Sequence, residues 1–262
     1  MEWGGFNSHG VCGASTVYDM QIDRAENPGS QRFEKQISGR YLGEIARLVI
    51  CNLMESGLLF AGDDVTSMTK AAATRVFGSS HGFTTPMMSA IEANQDSEIR
   101  RRLDNGTGGK LGEYYSKVSE SEQKTIRNVS VARDAMSHVI QLSVADSPAS
   151  FARQAEMAQA FSELWLSAPD RDRAIIADVC HIVSTRAARL AAAAIVSVVR
   201  KTGNDDATVA IDGSVFEKYP HFQADMEDAI EELCADRRRL RLVHAEDGSG
   251  KGAALIAAIA SQ

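Results

Sequence analysis

The chain has 262 residues, of which 44% are hydrophobic and 24% are charged, a composition typical of a soluble globular protein with a sizeable core. Its formal net charge of −7 argues against a nucleic acid or an anionic membrane as partner, because both repel an acidic protein. Four cysteines without paired spacing and the lack of a secretory signal predict reduced thiols in a cytoplasmic protein, and no His or Cys spacing predicts a metal site.

Apolar spacing predicts two helices in the first part of the chain. A turn signal, Asn-Pro-Gly-Ser, occupies positions 27–30. After it, apolar side chains recur at helical spacing over 33–49 and Gly57 follows as a stop, so we expect one long amphipathic helix. A loop over 78–82 then leads into a second helix, which we expect over 85–96.

The middle of the chain is polar at first and then strongly apolar. Residues 104–172 open with a glycine-rich string and continue as Ser- and Glu-rich sequence, for which we expect two helices, over 120–144 and 148–166. An Ala-rich helix or helix pair follows over 173–202. Its longest apolar run, 190–199, is much shorter than the roughly 20 residues that span a bilayer, so we expect a buried helix and no membrane anchor.

The end of the chain alternates strands, glycine turns and helices. A short buried strand is predicted over 207–212 and ends in Gly213, and a helix is predicted over 222–233. A second strand is predicted over 240–245, before a glycine-rich turn at 246–252 and a last helix. Both glycine turns follow strands, at the sheet edge where open α/β sheets bind their ligands. The pattern therefore predicts an α/β fold with a ligand site at that edge.

Two kinds of residue are candidates for ligand binding. The Gly-Ser-Gly-Lys-Gly run at 248–252 can present backbone N–H groups to a phosphate, although it lacks the Walker A spacing. The Asp-Gly-Ser turn at 212–214 lets a ligand approach the backbone closely, and each turn alone is equally well explained as a structural turn. Glu2 and Glu34 are carboxylates that can accept hydrogen bonds from a polyol, or else ordinary solvated glutamates. The two turns together favour a nucleotide site.

Five strings, in this order along the chain, resemble motifs of the hexokinase family. They are Glu-Trp-Gly-Gly-Phe at 2–6, Pro-Gly-Ser-Gln-Arg-Phe-Glu-Lys-Gln-Ile-Ser-Gly-Arg-Tyr-Leu-Gly-Glu at 28–44, Val-Ser-Thr-Arg-Ala-Ala at 183–188, Ile-Asp-Gly-Ser-Val-Phe at 211–216 with Tyr-Pro at 219–220, and Gly-Ser-Gly-Lys-Gly-Ala-Ala at 248–254. The resemblance implies an actin-like ATPase (ribonuclease H-like) α/β fold. Residues 1–262 would form an incomplete, helix-rich hexokinase large domain, truncated at its N-terminus. Residues 104–172 match the family poorly, and we interpret them as a surface insertion or an error in the gene model.

The resemblance also implies roles for individual residues. The hexose-binding residues are Glu2, Gln31 and Glu34. The nucleotide-binding residues are Gly39, Arg40, Thr85, Ser89, Gly213, Ser214, Val215, Phe216, Lys218 and Ser249. The family usually has lysine at position 40, so the charge is kept there while its geometry changes. Positions 217 and 218 also depart from the commoner versions of the motif.

The implied activity is ATP-dependent phosphorylation of glucose or another hexose at its 6-hydroxyl, the first step of glycolysis, with Mg²⁺ accompanying the ATP. The family's D-x-G-G-T phosphate loop and its N-D-T segment, which carries the general-base aspartate, have no counterpart in this sequence. We therefore expect no catalytic residue in this chain, which would be a fragment that works with a missing N-terminal half of the same enzyme. Two alternatives stay open: a catalytically inactive sugar- or nucleotide-binding protein, and a helical module that recruits partners through 104–172.

Overall fold

The computed structural model describes Phe6 and residues 15–103, 128–137, 148–203, 206–234, 239–245 and 256–259. The chain divides into two compact units, Met1–Val183 (unit 1) and Ser184–Gln262 (unit 2). In chain order, the elements are α1 Val17–Ala25, α2 Arg32–Ile37, α3 Gly39–Glu55, α4 Ser67–Gly78, α5 Thr85–Leu103, α6 Pro148–Ser167, α7 Asp170–Thr202, β1 Asp206–Ile211, α8 Ser214–Lys218, α9 Phe222–Leu233 and β2 Arg239–His244. Residues 128–137 and 256–259 are also helical.

A row of buried aromatic rings forms the centre of unit 1. Phe77 stacks on Phe60 with a centroid separation of 6.4 Å and lies 5.3 Å from Phe83. Phe83 in turn contacts Phe161 of α6 at 5.8 Å, and Trp165 of α6 ends the row. Aromatic pairs at these distances stabilise a core beyond the area that they bury. The row therefore joins α6 to the loops that flank α4, which packs on α6.

The predicted long helix over 33–49 is in fact two helices, so that prediction was wrong at one point. The break falls at Ser38, whose extended backbone (φ −78°, ψ 140°) ends α2 and whose hydroxyl accepts from Arg40 N at the start of α3. Serine favours such an N-cap over a helix interior, and glycine at the next position does little to continue a helix. The apolar spacing continues across the break because Phe33, Ile37 and Tyr41 are all buried.

Unit 2 contains the strands and turns that the sequence predicts. β1 and β2 pair in parallel, in register from Asp206 opposite Arg239 to Ile211 opposite His244. On one face, Leu240 and Leu242 pack against a cluster contributed by α7 and α9, which comprises Ala192, Val196, Ala229, Ile230 and Cys234. The predicted order of strand, glycine turn, helix and strand is confirmed here, with each strand one residue earlier than expected. The prediction that the first strand is buried was wrong, because the residues of β1 alternate between exposed and half-buried. The turn at 246–252 lies outside the described residues.

Part of the segment that we interpreted as a surface insertion is buried in unit 1. Of 104–172, the structure describes 128–137 and 148–172, and Phe161 and Leu164 of α6 have no exposed surface. The predicted helix over 148–166 is confirmed, whereas most of the one predicted over 120–144 lies outside the described residues. Whether 104–172 is an insertion relative to the family that the sequence resembles stays a prediction.

The long apolar helix α7 begins with the acidic first turn Asp170–Asp172 and continues to Thr202. Its length and composition would allow α7 to cross a membrane, but half of its most apolar stretch is buried within the protein. Ala187, Ala188 and Ala192 have no exposed surface, which is the behaviour of a core helix. The predicted helix over 173–202 is thus confirmed, and it begins three residues earlier.

Candidate functional site

The turn between α1 and α2 is held by a buried lysine. The Lys35 ammonium donates to Asp23 Oδ1 at 2.9 Å and to the backbone oxygens of Glu26 and Asn27, and only 3% of its side chain is exposed. Asp23 also accepts from Gly29 N at 3.1 Å. Burial acts to raise the pKa of Asp23, but the hydrogen bonds from Lys35 and Gly29, together with nearby positive charges, hold it below its usual value. The turn is therefore fixed at both ends.

Two of the predicted hexose-binding side chains, Gln31 and Glu34, lie beside this turn. Gln31 is exposed and has a left-handed backbone (φ 51°), and Glu34 is half-buried on the first turn of α2. Neither side chain makes a hydrogen bond or ion pair with any part of the chain that the structure describes. Phe6, from the predicted Glu-Trp-Gly-Gly-Phe motif, packs edge-on against Phe33 at 5.4 Å. Two of the family-like strings therefore meet at α2, although Glu2 itself lies outside the described residues.

Arg40, a predicted nucleotide-binding residue, is held by a glutamate from the α1–α2 turn. Its Nη2 donates to Glu26 Oε2 at 3.1 Å, and its guanidinium lies 5.5 Å from the centre of the Tyr41 ring. Glu26 also accepts from the Tyr41 hydroxyl at 3.1 Å and is 2.9 Å from His81 Nε2. Burial acts to raise the pKa of Glu26, but these hydrogen bonds and the Arg40 charge hold it below its usual value. Arg40 remains mostly exposed, so a ligand can reach it.

A buried ion pair within α3 supports the loop that carries His81. Glu44 and Arg47 form two parallel hydrogen bonds of 2.7 Å, the paired geometry that arginine makes best with a carboxylate. Arg47 also donates to Phe77 O at 2.6 Å, and the Glu44 carboxylate accepts from His81 N at 2.7 Å. The Glu44 hydrogen bond raises the pKa of Arg47 despite its burial. Glu44, which ends the Tyr-Leu-Gly-Glu string, thus stabilises the packing of α3 against the loop that carries His81.

Thr85, also predicted to bind nucleotide, joins the start of α5 to α3. Its hydroxyl donates to Gly39 O at 2.6 Å and accepts from Gly43 N at 3.0 Å. The helices approach so closely that a Cβ atom at position 43 would lie 2.5 Å from Thr84 C. Such a contact is far inside van der Waals distance, so only glycine fits at position 43. Ser89, one turn further along α5, is half-buried.

The nucleotide-binding string in unit 2 follows β1 directly. Gly213 caps α8 with φ 154° and ψ 136°, a conformation that suits glycine, and Ser214 after it is exposed. Val215 is half-buried and Phe216 is buried, so these two face the interior of the unit. Lys218 is exposed, and its Nζ lies 3.9 Å from Glu217 Oε2. Ser249 lies outside the described residues.

The structure brings several residues to the α1–α2 turn that sequence reasoning missed. Asp23, Glu26 and His81 were not predicted to take part in any site, and Lys35 and Glu44 were noted only as parts of a string. Glu44 supports the loop that carries His81 and does not contact the turn itself. The density of charged residues on either side of the Asn-Pro-Gly-Ser turn is a sequence signal for Asp23, Glu26 and Lys35, whereas His81 has none. In the described part of the chain, no group of three or more His, Cys, Asp and Glu side chains is arranged to hold a metal ion.

The hexokinase family profile matches residues 1–133 and 135–259 of the chain, which is nearly its whole length. The chain belongs to the hexokinase family. Among curated hexokinases, it is 32% identical to hexokinase-1 of Spinacia oleracea over all of this chain and 42% of that protein. It is 30% identical to hexokinase HKDC1 of Homo sapiens, again over the whole chain, but over only 22% of that protein.

Solved hexokinase structures show the same fold. The Schistosoma mansoni hexokinase complexed with glucose superimposes with a TM-score of 0.62 at 26% identity, covering 98% of this chain and 44% of that one. A second hexokinase crystal structure, at 21% identity and a TM-score of 0.51, shows the fold alone. The expected actin-like ATPase fold of a partial hexokinase domain is therefore confirmed. The chain spans less than half the length of these relatives.

Proposed function

We propose that the complete protein containing this chain transfers the γ-phosphoryl group of MgATP to the 6-hydroxyl of glucose or a related hexose, the first step of glycolysis. The observation that carries the proposal is the arrangement at α2. Among the described residues, no side-chain partner engages the polar groups of Gln31 and Glu34 beside this rigid turn, and Phe6 packs on the same helix. The Schistosoma mansoni hexokinase, which is similar over 98% of this chain, was solved with glucose.

The chemistry of these two side chains suits a sugar. A carboxylate only accepts hydrogen bonds and has about four lone-pair directions, so Glu34 can bind two hexose hydroxyls as donors. The Gln31 amide both donates and accepts, which matches hydroxyls that do the same. We include Glu2 in the hexose site from its family-like string. Because the Lys35 ammonium beside Glu34 is fully engaged, it does not neutralise Glu34 through a direct ion pair.

The proposal assigns nucleotide-binding residues in each unit separately. In unit 1 they are Gly39, Arg40, Thr85 and Ser89. In unit 2 they are Gly213, Ser214, Val215, Phe216, Lys218 and Ser249, of which Phe216 is buried, so its part is to pack the string against the interior of that unit. Arg40 supplies an accessible positive charge for a phosphate. The Thr85 hydroxyl already makes two hydrogen bonds and has one lone pair left, so its part is to hold α5 in place. At Gly213 the lack of a Cβ atom lets a flat base or a phosphate approach the backbone.

The transfer step requires a base that we assign to the part of the protein outside these 262 residues. As the 6-oxygen bonds to phosphorus and the bond to ADP breaks, the 6-hydroxyl must lose its proton. Glu34 and Gln31 would orient the sugar for this attack, and Mg²⁺ would enter with ATP and neutralise phosphate charge. In the part of the chain that the structure describes, Cys51, Cys180 and Cys234 are free thiols, which supports our further proposal that the protein is cytoplasmic.

Replacing Glu34 tests the proposal. We expect Glu34→Ala to lower kcat/KM for glucose by about 10- to 150-fold, because a hydrogen bond to a charged group contributes about 1.5–3 kcal/mol. The matched control is Glu55→Ala, which removes an exposed glutamate from the end of α3. Unchanged kcat and KM in the Glu34 variant would refute the hexose site. Hexose binding without any turnover by the parent protein would instead favour the inactive binding protein.

A further inference from the structure

Lys35 is a charged residue that no ligand can reach. Only 3% of its side chain is exposed, although it directly follows Glu34 in the sequence. Its ammonium has three hydrogens and three acceptors: a carboxylate oxygen of Asp23 and the backbone oxygens of Glu26 and Asn27. With every hydrogen donated, the side chain has no capacity left to bind a substrate. Its charge is therefore used entirely within the fold.

The three acceptors lie on the α1–α2 turn or just before it. Asp23 is in the last part of α1, and the two carbonyls belong to the first residues of the turn. Asp23 then reaches forward across the turn, where it accepts from Gly29 N at 3.1 Å and from Arg32 Nε at 3.0 Å. The Lys35 and Asp23 side chains thus connect the beginning of the turn, its glycine and the start of α2.

The turn contains two residues in an unfavourable backbone conformation. Asn27 and Gln31 have φ values of 43° and 51°, in the left-handed region that side chains other than glycine seldom adopt. Such conformations persist only where the surrounding structure holds them, and they concentrate at functional sites. The contacts of Lys35 hold the beginning of this turn, together with the Asp23 contacts to Gly29 and Arg32, and Gln31 is the residue that ends it.

We propose that Lys35 is a positioning residue for hexose binding, which fixes the α1–α2 turn and thereby sets where Gln31 and Glu34 present their polar groups. The inference rests on the proposed function, because it takes those two residues to bind the sugar. Lys35 acts on Gln31 through the backbone of the turn and on Glu34 through the first turn of α2. A positioned group that moves by about 1 Å can cost about 100-fold in activity, so a loosened turn is expected to have a large effect on binding.

The test is calorimetric titration of the complete protein with D-glucose and, separately, with MgATP. We expect Lys35→Met to weaken glucose affinity by about 10- to 100-fold, with a smaller effect on MgATP affinity. Asp23→Asn keeps the shape of one partner and removes its charge, so it should weaken glucose binding in the same direction but less. The control is Ile50→Val, which shortens a fully buried side chain of α3 that has no part in the turn. It should lower the melting temperature and leave glucose affinity unchanged.

The outcomes separate the inference from the proposed function. If the parent does not bind glucose, the proposed function is refuted and the role of Lys35 with it. If the parent binds glucose and a folded Lys35→Met binds it equally well, the positioning role alone is refuted. Equal losses of glucose and MgATP affinity would also refute it, since they would indicate a general structural role. If Lys35→Met does not fold, Asp23→Asn decides: weaker glucose binding supports the role, and unchanged binding refutes it.

Discussion

Removing one member of the Glu44–Arg47 pair should destabilise unit 1 severely. The two side chains are only 8% and 10% exposed, so Arg47→Met leaves a buried carboxylate. Glu44 would keep hydrogen bonds from His81 N and Ser80 Oγ, and among the described residues Phe77 O would keep the Cys51 thiol as its donor. Breaking a buried ion pair in this way costs about 3–5 kcal/mol. In a protein of this size, that corresponds to a melting temperature lower by about 6–20 °C.

The assay is urea denaturation followed by circular dichroism, with Arg75→Met as the matched control. Arg75 of α4 also faces a glutamate, Glu163 of α6, but both side chains are half exposed and Arg75 Nη1 lies 4.0 Å from Glu163 Oε2. Its loss should cost less than about 1 kcal/mol. The double variant Glu44→Gln, Arg47→Met should cost less than the sum of the single variants, because no unpaired charge stays buried. Equal costs for Arg47→Met and Arg75→Met, or simple additivity in the double variant, would refute this reasoning.

Two further predictions concern α3 and the α1–α2 turn. Gly43→Ala should cost at least about 1–3 kcal/mol in a denaturation assay, because the added methyl collides with the backbone at the start of α5. Gly78→Ala, whose Cβ would meet one side chain at an ordinary 3.8 Å, should be neutral or stabilising, and equal losses for the two variants would contradict the argument. Separately, folding lowers the pKa values of Asp23 and Glu26, so their contribution to the free energy of unfolding is complete above about pH 5 and is lost as the pH falls below about 4. Denaturation between pH 3 and pH 7 should therefore show a smaller loss in Asp23→Asn and Glu26→Gln than in the parent, and equal slopes would refute the assignment.

Sequence patterns predicted the two strands and the helix α9 of unit 2 because these elements have strong local signals, whereas the five-residue helix α8 was not predicted. The second strand alternates apolar and charged residues, the first contains a short apolar run, and Gly213 marks the turn after the first strand. In unit 1 the signals are weaker. We did not predict α1, because Ile22 is its only buried apolar residue, or α4, whose buried face includes two alanines. The break at Ser38 was missed since the apolar spacing continues through it.

In the candidate site, too, some residues could be predicted from local sequence and others could not. Gln31, Glu34 and Arg40 were identified because they stand in strings that resemble a family, and local sequence carries that information. The support around them could not be predicted, because it depends on contacts between distant positions and on backbone atoms. The Lys35 ammonium donates to two backbone carbonyls, and every residue type has such a carbonyl, so the sequence does not mark these acceptors. Glu26 meets His81 across 55 positions, a contact that only the packed loops create.

The central claim is that this chain is part of an enzyme that phosphorylates a hexose at its 6-hydroxyl. The most direct measurement is the release of ADP from MgATP by the complete protein, in the presence of glucose or of 6-deoxyglucose. The deoxy sugar keeps the other hydroxyls of glucose, but it lacks the one that attacks the phosphoryl group. We predict ADP release with glucose and none above background with 6-deoxyglucose, which should instead inhibit the reaction. Equal ADP release with the two sugars, or none with any hexose, would contradict the account.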